Sequence, residues 1–351
     1  MKLVKYAVRV IVALLTIIAV AAGVLYAAMW IVVNGPSESA GRLFVLSVRE
    51  TSAVGFLADW FMTDEQIAAL YKTADADDYT EVDPSLVHIS KKSKKTTDTD
   101  ETDPGGTETA GDTQTDEPVD GNDGVRVISV SGKTFNGKLI FVDDPTRVFV
   151  GTPDKYGEKC KGLTVMSMVE KYDALVGINA GGFVDPDGKG TGGLPEGLVI
   201  SGGKLLWGSK AATYSIAGFD SDGRFYAGYM TGERALSLGI SEAVSFGPPL
   251  IINGVPCNSN YRLGGGLNPR TAIGQRADGT VMLLVINGRF ADSIGATYDD
   301  LADVMMQYGA VNAANLDGGS SSLMIYDGEY ITKSAYVLGE RVVATSFLVR
   351  R

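Results

Sequence analysis

Apolar positions follow three different patterns along the 351-residue chain. The first is unbroken: from Ile11 to Val33, 23 residues pass without a charge. At 1.5 Å rise per residue such a run crosses a hydrocarbon core of roughly 30 Å. Lys2, Lys5 and Arg9 precede it, which places the N-terminus in the cytoplasm and the rest outside. "AVAAG" offers a peptidase small residues, but the run exceeds the roughly 7–15 apolar residues of a signal peptide. Residues 1–34 are therefore expected to be a cytoplasmic tip and a single-pass signal anchor in the lipid bilayer of the cell membrane.

The second pattern, over 35–72, is amphipathic. Phe44, Leu46, Val48, Phe56, Leu57, Trp60 and Phe61 supply apolar surface, and Thr63-Asp-Glu-Gln has the form of a helix start. One or two membrane-proximal helices are predicted. From Thr73 to Gly124 the pattern disappears into Thr, Asp, Glu, Gly and Ser, and such a segment buries too little apolar area to offset its ordering entropy. An acidic, disordered tether is predicted there.

The third pattern is short alternation. In 125–351, "VRVISVSG", "FNGKLIFVDD", "RVFVGTP", "GLVISGGKLL", "YSIAGFDSDGRFYAGYM" and "TVMLLVING" are brief runs bounded by Gly, Asp and Asn turns. Two helices interrupt them, about Thr164–Tyr172 and about Thr297–Tyr308, the second with Asp300 at the capping-box position. This predicts an α+β domain built on a mixed or antiparallel sheet with few helices.

Charge narrows the partners. The tether holds fifteen acidic residues against four lysines, which accounts for the whole net charge of −11. The domain beyond it is balanced, and without a basic stripe nucleic acid is not an expected partner. Cys160 and Cys257 leave a disulfide and two separate thiols equally open.

Candidate chemistry collects at strand ends. "NLDGGSSSLMIYDG" sets Asn315 and Asp317 before Gly318, Gly319, Ser320 and Ser321. A serine hydrolase is excluded by counting, because the one histidine, His88, lies in the acidic stretch and the G-x-S-x-G elbow is incomplete. "LVGINAGGFVDPDGKGTGG" places Asn179, Gly181 and Gly182 after a buried strand, then Asp185 and Asp187 in a glycine-rich loop. "NPRTAIG" brings Asn268, Arg270 and Thr271 to the start of a strand, and Arg289 follows the next. Each cluster alone is more often a turn or loop; three in one domain suggest backbone approach to a ligand.

"NAGGF", "NPRTAIG" and "NLDGGSSS", in this order, resemble the phosphodiester glycosidase family, and the similarity extends over "GLVISGGKL", "FGPPLIINGVP" and "ERVVATSFLV". The anchor and tether lie outside it. The family turn has Asp before three glycines, and Ser320 stands here in place of the third, which bears on substrate identity more than on class. The resemblance implies hydrolysis of a sugar-1-phosphodiester at the anomeric carbon, with an envelope glycopolymer or exopolysaccharide as substrate outside the membrane. Arg270 is then the phosphate clamp, Asp317 the carboxylate facing the oxocarbenium-like centre, and Glu196 a second carboxylate. Asn179, Asn315 and Ser321 would bind sugar hydroxyls or phosphate, with Gly318 and Gly319 donating backbone N–H groups. Two other readings stay open: a non-catalytic glycopolymer-binding or assembly module, and a calcium-stabilised protein using Asp185 and Asp187. No cofactor is otherwise expected.

Overall fold

The structure is a computed structural model and describes residues 2–51, 54–70, 80–89, 119–120, 123–257, 263 and 265–351. It divides into two compact units, residues 1–72 with 265–267, and the remainder of the chain.

In the first unit α1 (Lys2–Asn34) carries the apolar run as one helix. Leu15, Ile18 and Val24 are exposed along it, and it is the one helix among the described residues long and apolar enough to cross a membrane. Ser37 caps α2 (Glu38–Arg49). Thr63 and Gln66 exchange hydrogen bonds of 3.3 and 2.9 Å to open α3 (Asp64–Leu70), as the capping signal requires. Val45, Ala58 and Ile67 bury against one another between these elements.

The second unit is built from three sheets whose registered pairs are all antiparallel. The largest runs β1 (Val119–Asp120), β2 (Val125–Ser131), β3 (Asn136–Val142), β14 (Val281–Ile286), β13 (Arg270–Arg276), β15 (Ala310–Asn315), β11 (Pro249–Ile252), β12 (Val255–Pro256). A second runs β7 (Lys204–Trp207), β6 (Val199–Ser201), β10 (Ile240–Ser245), β8 (Thr213–Asp220), β9 (Phe225–Thr231). The third runs β17 (Glu329–Tyr330), β16 (Met324–Tyr326), β5 (Ala174–Asn179), β18 (Ser346–Arg350), β4 (Val148–Gly151).

One core joins all three: Ile140 and Leu283, Phe219 and Val244, and Ile178 and Phe347 pack together. The period of two explains the unbroken apolar run in β14. Leu283 and Val285 face this core, while Met282, Leu284 and Ile286 face α6 (Tyr298–Gln307) through Leu301 and Met305. α6 has the predicted Thr297–Asp300 capping box, and α4 (Val165–Tyr172) is capped by Thr164. The short helix α5 (Gly232–Ser237) and strand β10 were not legible, because "ISEAVS" breaks its apolar run with Ser and Glu.

The acidic stretch departs from a uniform tether. Residues 80–89 are packed on the domain, with Val87 buried and Val82 against the β6–β8 cluster. Asn253 clamps them, accepting from Asp83 N at 2.7 Å and donating to Glu81 O at 2.9 Å. Two apolar residues, Val82 and Val87, and the two Asn253 hydrogen bonds make this local contact, which average composition conceals. Residues 90–118, the bulk of the expected linker, lie outside the described residues.

Candidate active site

The site lies at a seam between sheets. After β15 the chain leaves the large sheet, and two consecutive amides record the crossing: Leu316 N donates to Thr271 O of β13 at 2.8 Å, and Asp317 N to Ala180 O beyond β5 at 2.9 Å. Asn179 locks the seam. Its Nδ2 donates to Asp317 O at 2.5 Å, and its Oδ1 accepts from Thr271 Oγ1 at 2.8 Å and Leu323 N at 3.2 Å. Both Asn179 and Thr271, expected to contact substrate, are fully buried here, and their side chains hold the turn in place.

The turn holds Asp317 against several groups. Its Oδ1 accepts from Gly318 N at 2.9 Å. Asp317 is closely packed by protein atoms but keeps part of its surface in contact with solvent. Crowding pushes its carboxyl up to about 7, against the opposing pull of the Ser321 hydroxyl, the Arg341 charge and the Gly318 N–H; Asp185 adds to the rise. A carboxylate near neutrality at a strand end is the kind of group that acid–base chemistry uses.

Arg341 is the residue that sequence reasoning missed, although it stands inside "ERVVATSFLV". It is buried, donates from Nη1 to Ser320 Oγ at 2.9 Å, and pairs with Asp185. Its guanidinium carbon lies 4.9 Å from the Phe183 ring centre. Ser320, the departure from the triple glycine, thus supplies the hydroxyl that receives Arg341. A signal existed in the arginine that precedes the apolar pair Val342-Val343, but only folding brings it to residue 320.

Glu196 comes to the same loop. Its N donates to Gly182 O at 2.9 Å, and a Cβ on Gly182 would sit 3.3 Å from Glu196 Oε2 and 2.9 Å from the Phe246 ring. Partial burial and then the charge of Asp185 raise the Glu196 carboxyl. Much of the side chain faces solvent, which screens the second effect. Two carboxyls with raised affinity for protons therefore flank the Ala180–Gly182 backbone.

The remaining candidates divide. Gly319 N donates to Pro269 O at 2.8 Å, Gly318 N to Asp317, Gly181 N to Thr345 Oγ1 at 2.9 Å and Gly182 N to Ser245 O at 3.3 Å. All four N–H groups, including those of Gly318 and Gly319 expected to donate to a ligand, are engaged within the protein in this structure. Gly319 instead clears space: at φ +61 it has Arg289 Nη2 3.3 Å from where its Cβ would be. Arg289 is exposed and also bonds Asn268 Oδ1 at 3.0 Å. Arg270 is buried, with Nε on Ala296 O at 3.1 Å and its guanidinium 4.1 Å from the Tyr298 ring centre, and its stem borders Gly318. Asn315 Nδ2 donates to Gly247 O at 2.7 Å, while its buried Oδ1 has no partner among the described residues. Asp185 is engaged by Arg341 and Gly190 N, and the side chain of Asp187 lies outside the described residues. Cys160 and Cys257 are both free thiols.

Asp317, Glu196, Arg341, Arg289 and the stem of Arg270 thus lie beside the glycines of the two strand-end loops. The chain belongs to the phosphodiester glycosidase family, whose model matches residues 172–350. It is 32% identical over 226 residues to an uncharacterised SPbeta prophage-derived protein of Bacillus subtilis, covering 62% of this chain and 33% of that protein. It is 26% identical over 217 residues to N-acetylglucosamine-1-phosphodiester alpha-N-acetylglucosaminidase of Mus musculus, covering 56% of this chain and 41% of that enzyme. The catalytic domain of the zebrafish enzyme, solved auto-inhibited by its pro-peptide, shares the fold at a TM-score of 0.53 and 21% identity, over 65% of this chain and 82% of that one. The chain thus spans a third to two fifths of the length of the curated relatives it matches.

Proposed function

We propose that this chain hydrolyses a sugar-1-phosphodiester in an envelope glycopolymer or exopolysaccharide, held to the membrane by α1 with the sheet domain outside. The observation that carries this reading is Asp317, a carboxyl near neutrality fixed at the seam between sheets, with Arg341 behind it and Glu196 across the Gly181–Gly182 loop. Water delivers its oxygen to the anomeric carbon, the bond from that carbon to the phosphate oxygen breaks, and the electron pair leaves with the phosphate monoester. That leaving group is a weak base, so the main demand is charge stabilisation at the sugar. Ionised Asp317 meets it, Glu196 handles the proton of the attacking water, and Arg289 and Arg270 flank Gly318–Gly319 to receive the phosphate.

The test is hydrolysis of a nitrophenyl-phosphodiester sugar and of purified envelope glycopolymers by the full chain. Asp317→Asn keeps the size and turn preference of the residue and is expected to abolish turnover. Arg270→Lys, which retains charge but not the planar fork, is expected to weaken it strongly. If the wild type turns over no phosphodiester, the domain is a glycopolymer-binding module.

A further inference from the structure

We propose that the 3₁₀ turn Gly55–Trp60 lies at the headgroup–acyl boundary of the bilayer, on the side of the sheet domain, where Phe56 and Trp60 form a second anchor beside α1. This rests on the reading of α1 as a membrane span. It makes the first unit a structure seated in the membrane surface instead of a stalk above it.

The turn, "GFLADW", has two faces. Ala58 is fully buried and packs with Val45 and Ile67. Asp59 accepts from Arg49 Nη1 of α2 at 2.8 Å, and Arg49 Nη2 donates to Asp64 Oδ1 at 3.1 Å, so the charges beside the turn pair with one another. The outward residues are aromatic. Phe56 is 55% and Trp60 54% exposed, and their rings meet edge-on at 5.8 Å. Adjoining apolar surface of this kind costs free energy in water and marks a place of contact.

The position of the turn along α1 identifies what covers it. The Tyr26 ring of α1 lies 6.3 Å from that of Trp60 and stacks on Phe61 at 5.6 Å. The start of α2 packs on the end of α1, where a Cβ on Gly41 would fall 2.8 Å from Val33 O. The chain thus doubles back: α2 begins beside the last turn of α1, and the aromatic turn returns to Tyr26, about two helical turns deeper.

That depth can be set against a bilayer. The apolar span Lys5–Asn34 has 30 residues. At 1.5 Å per residue it measures about 45 Å, the thickness of a bilayer with its headgroups. Asn34 then sits at the outer headgroup edge, with Tyr26 about 12 Å beneath it. A headgroup layer is roughly 5–8 Å deep, so the rings on Tyr26 stand just inside the acyl boundary. Trp and Tyr concentrate at this level, and amphipathic segments bury their apolar faces there. Trp30, one turn above Tyr26 on the same face of α1, is itself 52% exposed. The aromatic patch is therefore continuous with the lipid-facing surface of the span, which favours lipid over a second copy of the chain as its cover.

The test reconstitutes the full chain in phosphatidylcholine vesicles and reads quenching of single tryptophans. The chain has Trp30, Trp60 and Trp207. Trp30→Phe with Trp207→Phe leaves Trp60 as the sole emitter. It is expected to lose emission to lipid brominated near the headgroup end of its acyl chains, to lose less to lipid brominated near the chain ends, and to be shielded from acrylamide in the water. Trp60→Phe with Trp207→Phe leaves Trp30 to report on α1. Trp30 quenched by brominated lipid while Trp60 stays open to acrylamide overturns the inference and leaves the membrane span standing. Trp60 shielded from lipid and acrylamide alike also overturns it, because protein would then cover the patch. Stronger quenching by the chain-end bromines would put the turn in the hydrocarbon core and remove it from the boundary. If Trp30 too is untouched by brominated lipid, α1 is not a span, and the inference falls with that reading.

Discussion

Asp317 is in tension with its own fold, and that tension is measurable. Its carboxyl has a usual value of 3.8 and is raised to about 7 in the folded chain. The unfolded state therefore ionises first as pH rises, and the contribution of this residue to stability is lost between those two values. Asp317→Asn removes the effect. Its melting temperature is expected to match wild type near pH 4 and to exceed it increasingly toward pH 8, while turnover is lost at every pH. Melting curves across that range check it; a variant destabilised at pH 8 would assign the residue to the turn alone. The surroundings of Asp317 make opposite predictions for two neighbours. Arg341 favours its ionised form and Asp185 disfavours it. If ionised Asp317 is the active form, kcat/KM rises with pH through about 7 in the wild type. Arg341→Met should move that limb to higher pH and Asp185→Asn to lower pH. Shifts in the same direction would show that the pair acts only through structure. The catalytic candidate itself was legible, since an aspartate before glycines and hydroxyls stands out in "NLDGGSSS". Arg341 was not, because nothing local connects it with a serine 21 positions earlier.

At the scale of elements, Asn179 ties the seam together. This side chain makes three hydrogen bonds inside a fully buried position, joining the end of β5 to β13 and to the turn after β15. Asn179→Ala leaves Thr271 Oγ1, Leu323 N and Asp317 O without that partner, and is expected to cost about 2–4 kcal/mol at roughly 1–3 kcal/mol per stranded group with partial relaxation. Denaturant unfolding checks this. Loss of activity here should come with loss of stability, in contrast to Asp317→Asn. The sequence suggested Asn179 as a ligand for sugar hydroxyls because an asparagine after a buried strand looks the same whether its amide faces substrate or a neighbouring strand. Helix capping needs no such partner. Thr164, Thr297 with Asp300, and Thr63 with Gln66 satisfy their own first turns, so these starts were readable within a residue.

The whole molecule combines an apolar helix with a domain that starts earlier than its strand pattern. Residues 80–89 lie on the domain through Val82, Val87 and the Asn253 clamp. A chain shortened to begin at residue 80 is expected to be more stable than one beginning at Val125, by a lower denaturant midpoint in the latter. Equal midpoints would make the contact superficial. Should α1 anchor the chain with the domain outside, protease added to intact cells releases a folded fragment beginning within 90–124; protection of the domain would reverse the orientation.

The sequence by itself determined what depends on near neighbours: the apolar span of α1, the helix caps, the alternation that makes strands, and the glycines that open a turn. These properties need only a few residues of context, because propensity, capping and periodicity are set within one or two turns of chain. Tertiary structure decided which polar groups at those strand ends meet one another. It turned Asn179 and Thr271 into a clamp, engaged the N–H groups of Gly318 and Gly319 inside the protein, and set Arg341 behind Asp317. The physical reason is that a buried donor or acceptor takes whatever partner the crossing of three sheets presents, and that crossing is a property of the whole domain.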